Sequence, residues 1–396
     1  MTNSNLKATP ICNICDGPCS HVYSPIGSRV GLELYICESC GFLQTTKSSV
    51  SIRDNDATFR GLSCDADYSS VRVGKRQMLD NTRPLLDKAR ELLGPEPRIL
   101  DMAAGRGDFL NYARSWEPSE LVGFEPDEYM VKDSPVHQFA QLEYGDYRSM
   151  SSEHQFDFIY SCHSLEHFSN PSGYFEYVTT ILSPTGVFFV DVPNVHEADK
   201  GLVLDEYFYD KHRVYFDSGS LDQLGAEFKL KPIFGRNEGS SLVRAFKFDE
   251  QKRTKAQSRY EANLALIGEY RLKMDKSRTK IHDVVQRINK EIEAHAGPAI
   301  LFGAGRATDA LVKHGGLELN IFSQVVDNYL GQASSTVLGR EIKVFDQLES
   351  LKNPLFVVST KSSTSTISDL IRSKYPNAKL LLLVDLFGAE DLSQVP

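Results

Sequence analysis

Apolar runs of strand length alternate with amphipathic stretches through the middle of the chain. One run, RILDM, ends near Asp101 and is followed by the small-residue turn AAGRGDF and by FLNYARSW, which starts a helix. Similar apolar runs occur in ELVGFEPD, LEYGDYRSM, FDFIYSCHSLEHF and GVFFVDVPN. Strands that alternate with helices form sheets covered on both faces, so the pattern predicts an α/β fold with a largely parallel, doubly wound sheet.

The pattern changes after residue 249. Residues 250–296 are rich in Lys, Arg and Glu and lack proline, which predicts a long amphipathic connecting helix. The stretch GPAILFGAGRATDALVKHGG then predicts a strand, a glycine turn and a helix, and IFSQVVDN predicts a second strand ending at Asp327. This is a Rossmann-like unit, but Thr308 replaces the third glycine of the NAD fingerprint, so NAD binding is only weakly indicated. We therefore expect three domains, at residues 1–66, 67–248 and 249–396.

Composition limits the classes of function. The chain has 396 residues, a net charge of -9 and a pI near 5.6, which argues against a broad nucleic-acid surface because phosphate binding relies on Lys and Arg. The polar N-terminus lacks a leader-like apolar segment, and no run approaches the roughly 18 apolar residues of a membrane helix. We expect a cytoplasmic monomer or homodimer that acts on a small molecule and engages neither nucleic acid nor membrane.

Four cysteines form two C-x2-C pairs, Cys12 with Cys15 and Cys37 with Cys40. This paired spacing is close to that of zinc ribbons, and four thiolates would close the coordination sphere of a structural ion. The alternative is four reduced cysteines in a core. The other three, Cys19, Cys64 and Cys162, are interpreted as free thiols.

The turn after the first strand of the middle region indicates a nucleoside site. Its small residues include Ala103, Gly105 and Gly107, and Glu125 ends the next strand, where an acid can accept both ribose hydroxyls. The stretches ILDMAAGRGDF, VGFEPD, GDYRSM, FDFIYSCHSLEHF and LSPTGVFFVDVPN, in that order, resemble a class I S-adenosylmethionine (SAM)-dependent methyltransferase, although alanine replaces the first glycine. The resemblance implies SAM as cofactor and a cofactor pocket formed by Asp101, Ala103, Gly105, Gly107, Glu125, Pro126, Asp146, Ser161 and His163.

Two further stretches narrow the resemblance. DADYSSV and YDKHRVYF resemble segments of the sugar-nucleotide C-methyltransferases, which combine a zinc-binding N-terminal domain, a methyltransferase core and a C-terminal Rossmann-like domain. The resemblance implies active-site roles for Tyr68, Tyr209 and His212, with Tyr215 at the substrate. It also implies that the C-terminal domain closes over a sugar nucleotide. Asp210 and Lys211 depart from the His and Glu of the family stretch.

The chemistry of C-methylation requires a base, because a carbon beside a ketone becomes nucleophilic only when it loses a proton. An imidazole suits that transfer at neutral pH, so His212 is the predicted base. Tyr209, Lys211 or His167 would stabilise the enolate oxygen, and Arg244, in the strand EGSSLVRAFKF, would contact a phosphate or carboxylate.

Simpler interpretations remain open at this stage. His212 would then be a surface histidine, His167 a packed residue of its turn, Tyr68 a core residue and Arg244 a solvated strand-end charge. The enzyme would alternatively methylate oxygen or nitrogen of a sugar or another small metabolite. An alternative of another class is a SAM-fold binding or scaffold protein without catalysis.

Overall fold

The structure is a computed structural model, and the residues that it describes form three β-sheets with buried apolar clusters packed against them. It describes the following residues: 10–26, 28, 31–45, 69–126, 128–132, 134–145, 155–198, 206–209, 212–249, 257–328, 336–360 and 364–387. Tyr68, Asp146, Asp210 and Lys211, which the sequence places in or beside the site, lie outside these residues, as does Cys64. None of the described helices is long and apolar enough to cross a membrane.

The first sheet is antiparallel and joins the N-terminal segment to a distant part of the chain. Its order is β1-β2-β3-β9, and the last strand pairs with β3 through Leu43 opposite Tyr215 and Gln44 opposite Val214. The YDKHRVYF stretch is therefore built onto the N-terminal sheet. The strands are β1 Cys19–Tyr23, β2 Leu34–Cys37, β3 Leu43–Thr45 and β9 Val214–Tyr215.

The second sheet has seven strands in the order β10-β11-β8-β7-β4-β5-β6. The strands from β6 to β8 in this order are parallel, and β11 is antiparallel to both of its neighbours. The chain order reverses between β4 and β7, and ligands of open α/β sheets bind at the carboxyl ends of the strands at such a switch point. The strands are β4 Arg98–Asp101, β5 Glu120–Glu125, β6 Gln141–Tyr144, β7 Phe156–Cys162, β8 Leu182–Pro193, β10 Leu230–Arg236 and β11 Ser241–Phe248.

Helices cover both faces of this sheet, as the alternation of strands and helices predicts. One face is filled by Phe109, Trp116 and Phe158, and the other by Phe175, Phe188 and Phe246. The helices are α1 Ser69–Arg90, α2 Asp108–Ala113, α3 Glu128–Lys132, α4 Pro171–Ile181 and α5 Ser218–Glu227.

A 34-residue helix, α6 (Tyr260–Glu293), connects the first sheet to the third. At 1.5 Å per residue it is about 50 Å long. Its first half buries Ile267, Tyr270 and Met274 against the N-terminal sheet, and its second half buries Ile281 and Val285 against the third sheet. The predicted connecting helix is thus present over Tyr260–Glu293.

The third sheet has the order β14-β15-β13-β12-β16-β17, and the five strands from β15 to β17 in this order are parallel. The chain order reverses between β12 and β16, which is the same arrangement as in the second sheet. The elements are β12 Ala299–Phe302, α7 Arg306–Gly315, β13 Gln324–Val326, β14 Thr336–Val337, β15 Arg340–Lys343, β16 Leu355–Val358, α8 Thr364–Lys374, β17 Lys379–Leu382 and α9 Leu383–Phe387.

Candidate active site

The glycine turn lies at the carboxyl end of β4, directly after Asp101. Gly105 and Gly107 have φ values of 55° and 86°, which L side chains rarely adopt, and a Cβ on Gly107 would lie 2.7 Å from Val136. Ala103 is not among the described residues with positive φ, so its methyl group is accommodated without backbone strain. The alanine that departs from the family pattern therefore stands where the turn does not require glycine.

Glu125 ends β5, beside this turn. Its carboxylate is largely buried and accepts a 2.7 Å hydrogen bond from the backbone N–H of Gly105, 20 residues earlier. Asp101 likewise accepts a 3.3 Å hydrogen bond from the N–H of Ala103, and Pro126 follows Glu125 as an exposed residue. An open backbone turn with an acid at its side suits a nucleoside whose ribose hydroxyls donate to the carboxylate, so these residues fit SAM.

The end of β7 differs in part from the prediction. Ser161 is fully buried, and its hydroxyl lies 2.9 Å from that of Tyr174 on α4, so its side chain belongs to the packed face of the sheet. The next residue, Cys162, is on the other face, and burial raises the pKa of its thiol. The prediction that Ser161 lines the cofactor pocket is corrected, because side chains alternate between faces along a strand.

His163 follows in a left-handed conformation, with φ of 48°. Such a conformation is uncommon for a residue with a side chain and is held here by a 2.8 Å hydrogen bond from its N–H to the carbonyl of Asp191. Its ring lies between two buried carboxylates, 3.5 Å from Glu166 and 3.9 Å from Asp191. His163 thus lies at the switch point of the sheet, where the sequence predicts a residue that lines the cofactor pocket.

Glu166 lies in the short 3-10 turn Leu165–His167 and is almost completely buried. Its carboxylate oxygens accept no hydrogen bond from the described residues, and imidazole nitrogens lie at 3.5 Å (His163), 3.8 Å (His212) and 3.9 Å (His167). Burial raises the pKa of this carboxyl group, but the His163 side chain and the charges of His167 and His212 outweigh burial and lower the pKa to about 2. Glu166 is therefore an anion among three imidazoles.

His212 is buried, with 6% of its surface exposed, so the interpretation as a surface histidine does not hold. Its Nε2 lies 2.8 Å from the hydroxyl of Tyr209, and its ring centroid lies 5.1 Å from that of His167. The ring of Tyr215 packs against it from a third direction. The structure thus brings together Tyr209, His212 and His167, three of the four predicted catalytic residues.

Backbone hydrogen bonds hold the His212 loop from two sides. The N–H of Arg213 donates to the carbonyl of Glu166 at 2.7 Å, and the N–H of Thr45 donates to the carbonyl of Arg213 at 2.8 Å. Tyr215, predicted at the substrate, is buried and places its hydroxyl 3.2 Å from the backbone N–H of Tyr209, which donates to it. The Tyr215 hydroxyl therefore stabilises the loop.

Arg244 requires a correction. Its guanidinium is buried against α5, where Nε donates to Asp222 at 2.6 Å and Nη1 donates to the carbonyl of Val243 at 2.8 Å. It is neither a solvated strand-end charge nor a group directed at a substrate anion. The reason is that α5 covers this face of β11, which the strand sequence alone does not reveal.

The four paired cysteines converge at one point. The Sγ–Sγ distance is 3.7 Å for Cys12 and Cys40 and 3.5 Å for Cys15 and Cys37, and all four sulfurs lie within 4.8 Å of one another. A tetrahedral ion with 2.3 Å bonds to sulfur would place its ligands about 3.8 Å apart. Backbone N–H groups of Ile14 and Cys40 donate to the sulfurs of Cys12 and Cys37 at 3.4 Å. The donor set fits a closed, structural zinc site.

The comparisons with known proteins bear on the second sheet. Residues 74–233 match the family described as "Methyltransferase domain". The chain is therefore similar to that family over this region, which is less than half of its 396 residues. The predictions of a class I methyltransferase fold and of a SAM-dependent methyltransferase enzyme are therefore confirmed. No curated protein matches the chain.

Solved structures resemble the methyltransferase domain at low identity. A protein from Pyrococcus horikoshii is 20% identical and covers 44% of this chain and 91% of its own, with a TM-score of 0.39. A SAM-dependent methyltransferase from Clostridium acetobutylicum is 14% identical and covers 50% and 99%, with a TM-score of 0.36. A 1,6-didemethyltoxoflavin-N1-methyltransferase from Burkholderia thailandensis, bound to S-adenosylhomocysteine, is 17% identical and covers 54% and 98%, with a TM-score of 0.37.

Two buried acids of this candidate site, Glu166 and Asp191, are not among the residues that the sequence predicts for it. In the sequence, Glu166 is one residue of the LEH stretch, and Asp191 lies near the end of β8. The available signal was that each is an acid at the carboxyl end of a strand of a parallel sheet. Their burial beside His163 depends on how β7 and β8 pair, which is a tertiary property.

Proposed function

We propose that this enzyme transfers the methyl group of SAM to a carbon of a keto-deoxysugar nucleotide and that His212 is the base. The observation that carries the proposal is the 2.8 Å contact between Nε2 of His212, which is buried, and the hydroxyl of Tyr209, which is half-buried. This pair of side chains adjoins the Leu165–His167 turn, which follows β7 of the second sheet.

The proposed reaction assigns one role to each group. SAM supplies, when bound, a methyl group on a positively charged sulfur, which accepts an electron pair from carbon. Nε2 of His212 takes the proton from the carbon beside the ketone, and the electron pair moves to the ketone oxygen as an enolate. The Tyr209 hydroxyl, released from Nε2, donates to that oxygen, and His167 faces the same space. The carbon then forms its bond to the methyl group, the sulfur–methyl bond breaks, and the imidazole returns its proton to solvent.

The surroundings of His212 support the proton transfer. Tyr207, Phe208 and Tyr215 form an aromatic cluster beside the loop, and all three rings are largely or fully shielded from water. Exclusion of water protects an enolate from reprotonation before methyl transfer. Glu166 places a negative charge 3.8 Å from Nε2, which favours the imidazolium that forms when the proton is taken.

The third sheet is proposed to close over the nucleotide of the acceptor rather than to bind NAD. Asp327 accepts a 2.8 Å hydrogen bond from the N–H of Ala304, as Glu125 does from Gly105. Thr308 fills the place of the third glycine, and its buried hydroxyl donates to the carbonyl of Gly303 at 2.7 Å. A side chain at this position removes the close helix–strand approach that the dinucleotide fingerprint needs.

The test combines a substrate screen with a base variant. Nucleotide-linked keto-sugars are screened for methyl transfer by mass spectrometry, and exchange of the carbon proton into solvent deuterium is followed with the acceptor found. We expect His212→Asn to stop exchange and to slow methyl transfer by roughly 10²–10⁴-fold, with SAM affinity retained. His137→Asn, which removes an imidazole in the 3-10 turn Pro135–Gln138, away from the Tyr209–His212 pair, is the control.

Two results would contradict the proposal in different ways. Exchange at the wild-type rate in His212→Asn would assign the base to Tyr209 or His167. Methyl transfer without any carbon proton exchange in the wild-type enzyme would favour methylation of oxygen or nitrogen on a sugar or another small metabolite.

A further inference from the structure

Three side chains of the site have the arrangement of metal ligands. Glu166, His167 and His212 each offer one ligand atom, and these atoms lie within 4.8 Å of one another. Oε1 of Glu166 lies 3.8 Å from Nε2 of His212 and 3.9 Å from Nε2 of His167. These distances are too long for hydrogen bonds. Ligands bound at 2.0–2.2 Å to one tetrahedral ion lie about 3.4 Å apart, so the three atoms need to move only slightly to share an ion.

The burial of Glu166 independently points to a cation. Its side chain is 2% exposed, and neither carboxylate oxygen accepts a hydrogen bond from the described residues. A buried carboxylate without donors is costly unless a positive charge is adjacent. Imidazolium groups supply that charge only when protonated, whereas a divalent ion supplies it when the imidazoles are neutral.

We propose that Glu166, His167 and His212 form a binding site for one first-row transition-metal dication. Two imidazoles and one carboxylate are the ligands that zinc and cobalt accept readily, whereas magnesium prefers an all-oxygen set. The side chain of His167 is 36% exposed while those of Glu166 and His212 are 2% and 8% exposed, so an ion enters from the His167 side. Three protein ligands leave one position for water or for an oxygen of the acceptor.

One consequence of the metal site, inhibition of the enzyme by the bound ion, rests on the proposed function. The lone pair of Nε2 on His212 cannot bind an ion and accept a proton at the same time. The ion-bound enzyme therefore cannot take the proton from the acceptor carbon, and the Tyr209 hydroxyl loses its 2.8 Å partner. Metal binding is thus an inhibitory state of the same site, distinct from the four-cysteine cluster.

The test uses cobalt, because its visible absorption reports the ligands. Full-length protein is first loaded with one zinc per chain to fill the four cysteines and is then titrated with Co²⁺. We expect one further ion per chain with the visible d–d bands of tetrahedral Co²⁺ and without the sulfur-to-metal charge transfer that the cysteine cluster would give. Glu166→Gln and His167→Asn should each weaken this binding by more than about tenfold. Loss of a group that only hydrogen-bonds to a metal ligand already weakens metal binding by about tenfold, and these substitutions remove a ligand itself. His137→Asn should bind as the wild type does.

Binding that is absent, or that is unaffected in both Glu166→Gln and His167→Asn, would overturn the metal site. Charge-transfer bands from the second ion would overturn it as well, because they would assign the ion to cysteine. Circular dichroism and SAM affinity of both variants show that they are folded, so a loss of cobalt binding is not mistaken for unfolding.

Proton exchange separates the two proposals. If Co²⁺ stops exchange at the acceptor carbon and its removal by dialysis restores exchange, both the site and its inhibitory role are supported. If exchange instead requires the ion, the metal site stands and His212 is not the base. If no ion binds while His212→Asn still abolishes exchange, the metal site fails and the proposed function stands.

Discussion

Thr45 donates its backbone N–H to the carbonyl oxygen of Arg213 at 2.8 Å, and its hydroxyl lies 3.1 Å from the same oxygen. Thr45 is the last residue of β3 in the cysteine-paired sheet, and Arg213 follows the proposed base. The N-terminal segment therefore positions a loop of the active site, although its four cysteines offer no open position for catalysis.

The first prediction concerns this link. We expect about one zinc per chain by elemental analysis and loss of that ion in Cys37→Ser, because four thiolates complete the site. Since β3 holds the His212 loop, Cys37→Ser should slow proton exchange by at least about tenfold, while SAM affinity at the far strands changes little. Cys162→Ser, outside the cluster, should keep its zinc. A zinc-free wild-type protein with four freely titratable thiols would contradict the site.

The second prediction concerns the ribose acid. Glu125→Ala should weaken SAM binding by roughly 1.5–3 kcal/mol, the range for hydrogen bonds to a charged group. Glu120→Ala is the matched control, because it lies at the opposite end of the same strand and should leave the affinity unchanged. Calorimetry gives both values. Equal affinities of the wild type and Glu125→Ala would remove this residue from the cofactor site.

The third prediction uses the glycine turn. An L residue in the left-handed conformation costs about 1–2 kcal/mol. Gly107→Ala should destabilise the fold by more than this, because the new Cβ would also lie 2.7 Å from Val136. Gly268→Ala, in α6 with no atom near its Cβ, should instead stabilise by about 0.5–1 kcal/mol. Denaturant unfolding gives the comparison, and equal shifts in the two variants would exclude strain at Gly107.

The fourth prediction concerns the alanine that replaces the first glycine. Because Ala103 does not adopt a positive φ, Ala103→Gly should change SAM affinity by less than about threefold. A large gain in affinity, measured by calorimetry, would show that the methyl group displaces the cofactor.

The fifth prediction follows from the Arg244–Asp222 pair. Arg244→Met should lower the free energy of unfolding by roughly 1.5–3 kcal/mol and leave the KM for the acceptor unchanged, because the guanidinium bonds to Asp222 at 2.6 Å. In the Asp222→Asn background the same substitution should have a smaller effect. A raised KM with unchanged stability would return Arg244 to the substrate site.

Local signals predicted much of the fold. The strand, glycine turn and following helix at residues 98–113 are encoded within a few residues of one another, and so is the acid 20 residues beyond Gly105. The two cysteine pairs are likewise local, since each C-x2-C spacing is a single turn. These features can be predicted from local backbone geometry and from the period of the hydrophobic residues, and both are visible in the sequence.

The features that the sequence did not predict depend on contacts between distant parts of the chain. The strand Val214–Tyr215 is only two residues long, and its partner is β3, about 170 residues earlier. The packing of Arg244 under α5, and of Glu166 beside His212, depends likewise on elements that meet only in the folded chain. No periodicity within a segment reveals such a neighbour.

The contact between Gly41 and the start of α6 has a consequence for biosynthesis. A Cβ on Gly41 would lie 2.5 Å from the backbone of Tyr260, and Asn263 donates to the Gly41 carbonyl at 2.9 Å across 222 residues of chain. At roughly 5–20 residues per second on the ribosome, these 222 residues take about 10–45 s to emerge. The segment around Gly41 therefore completes its packing only after residue 263 has emerged, and a metal ion on the four cysteines would hold its β-strands together in that interval.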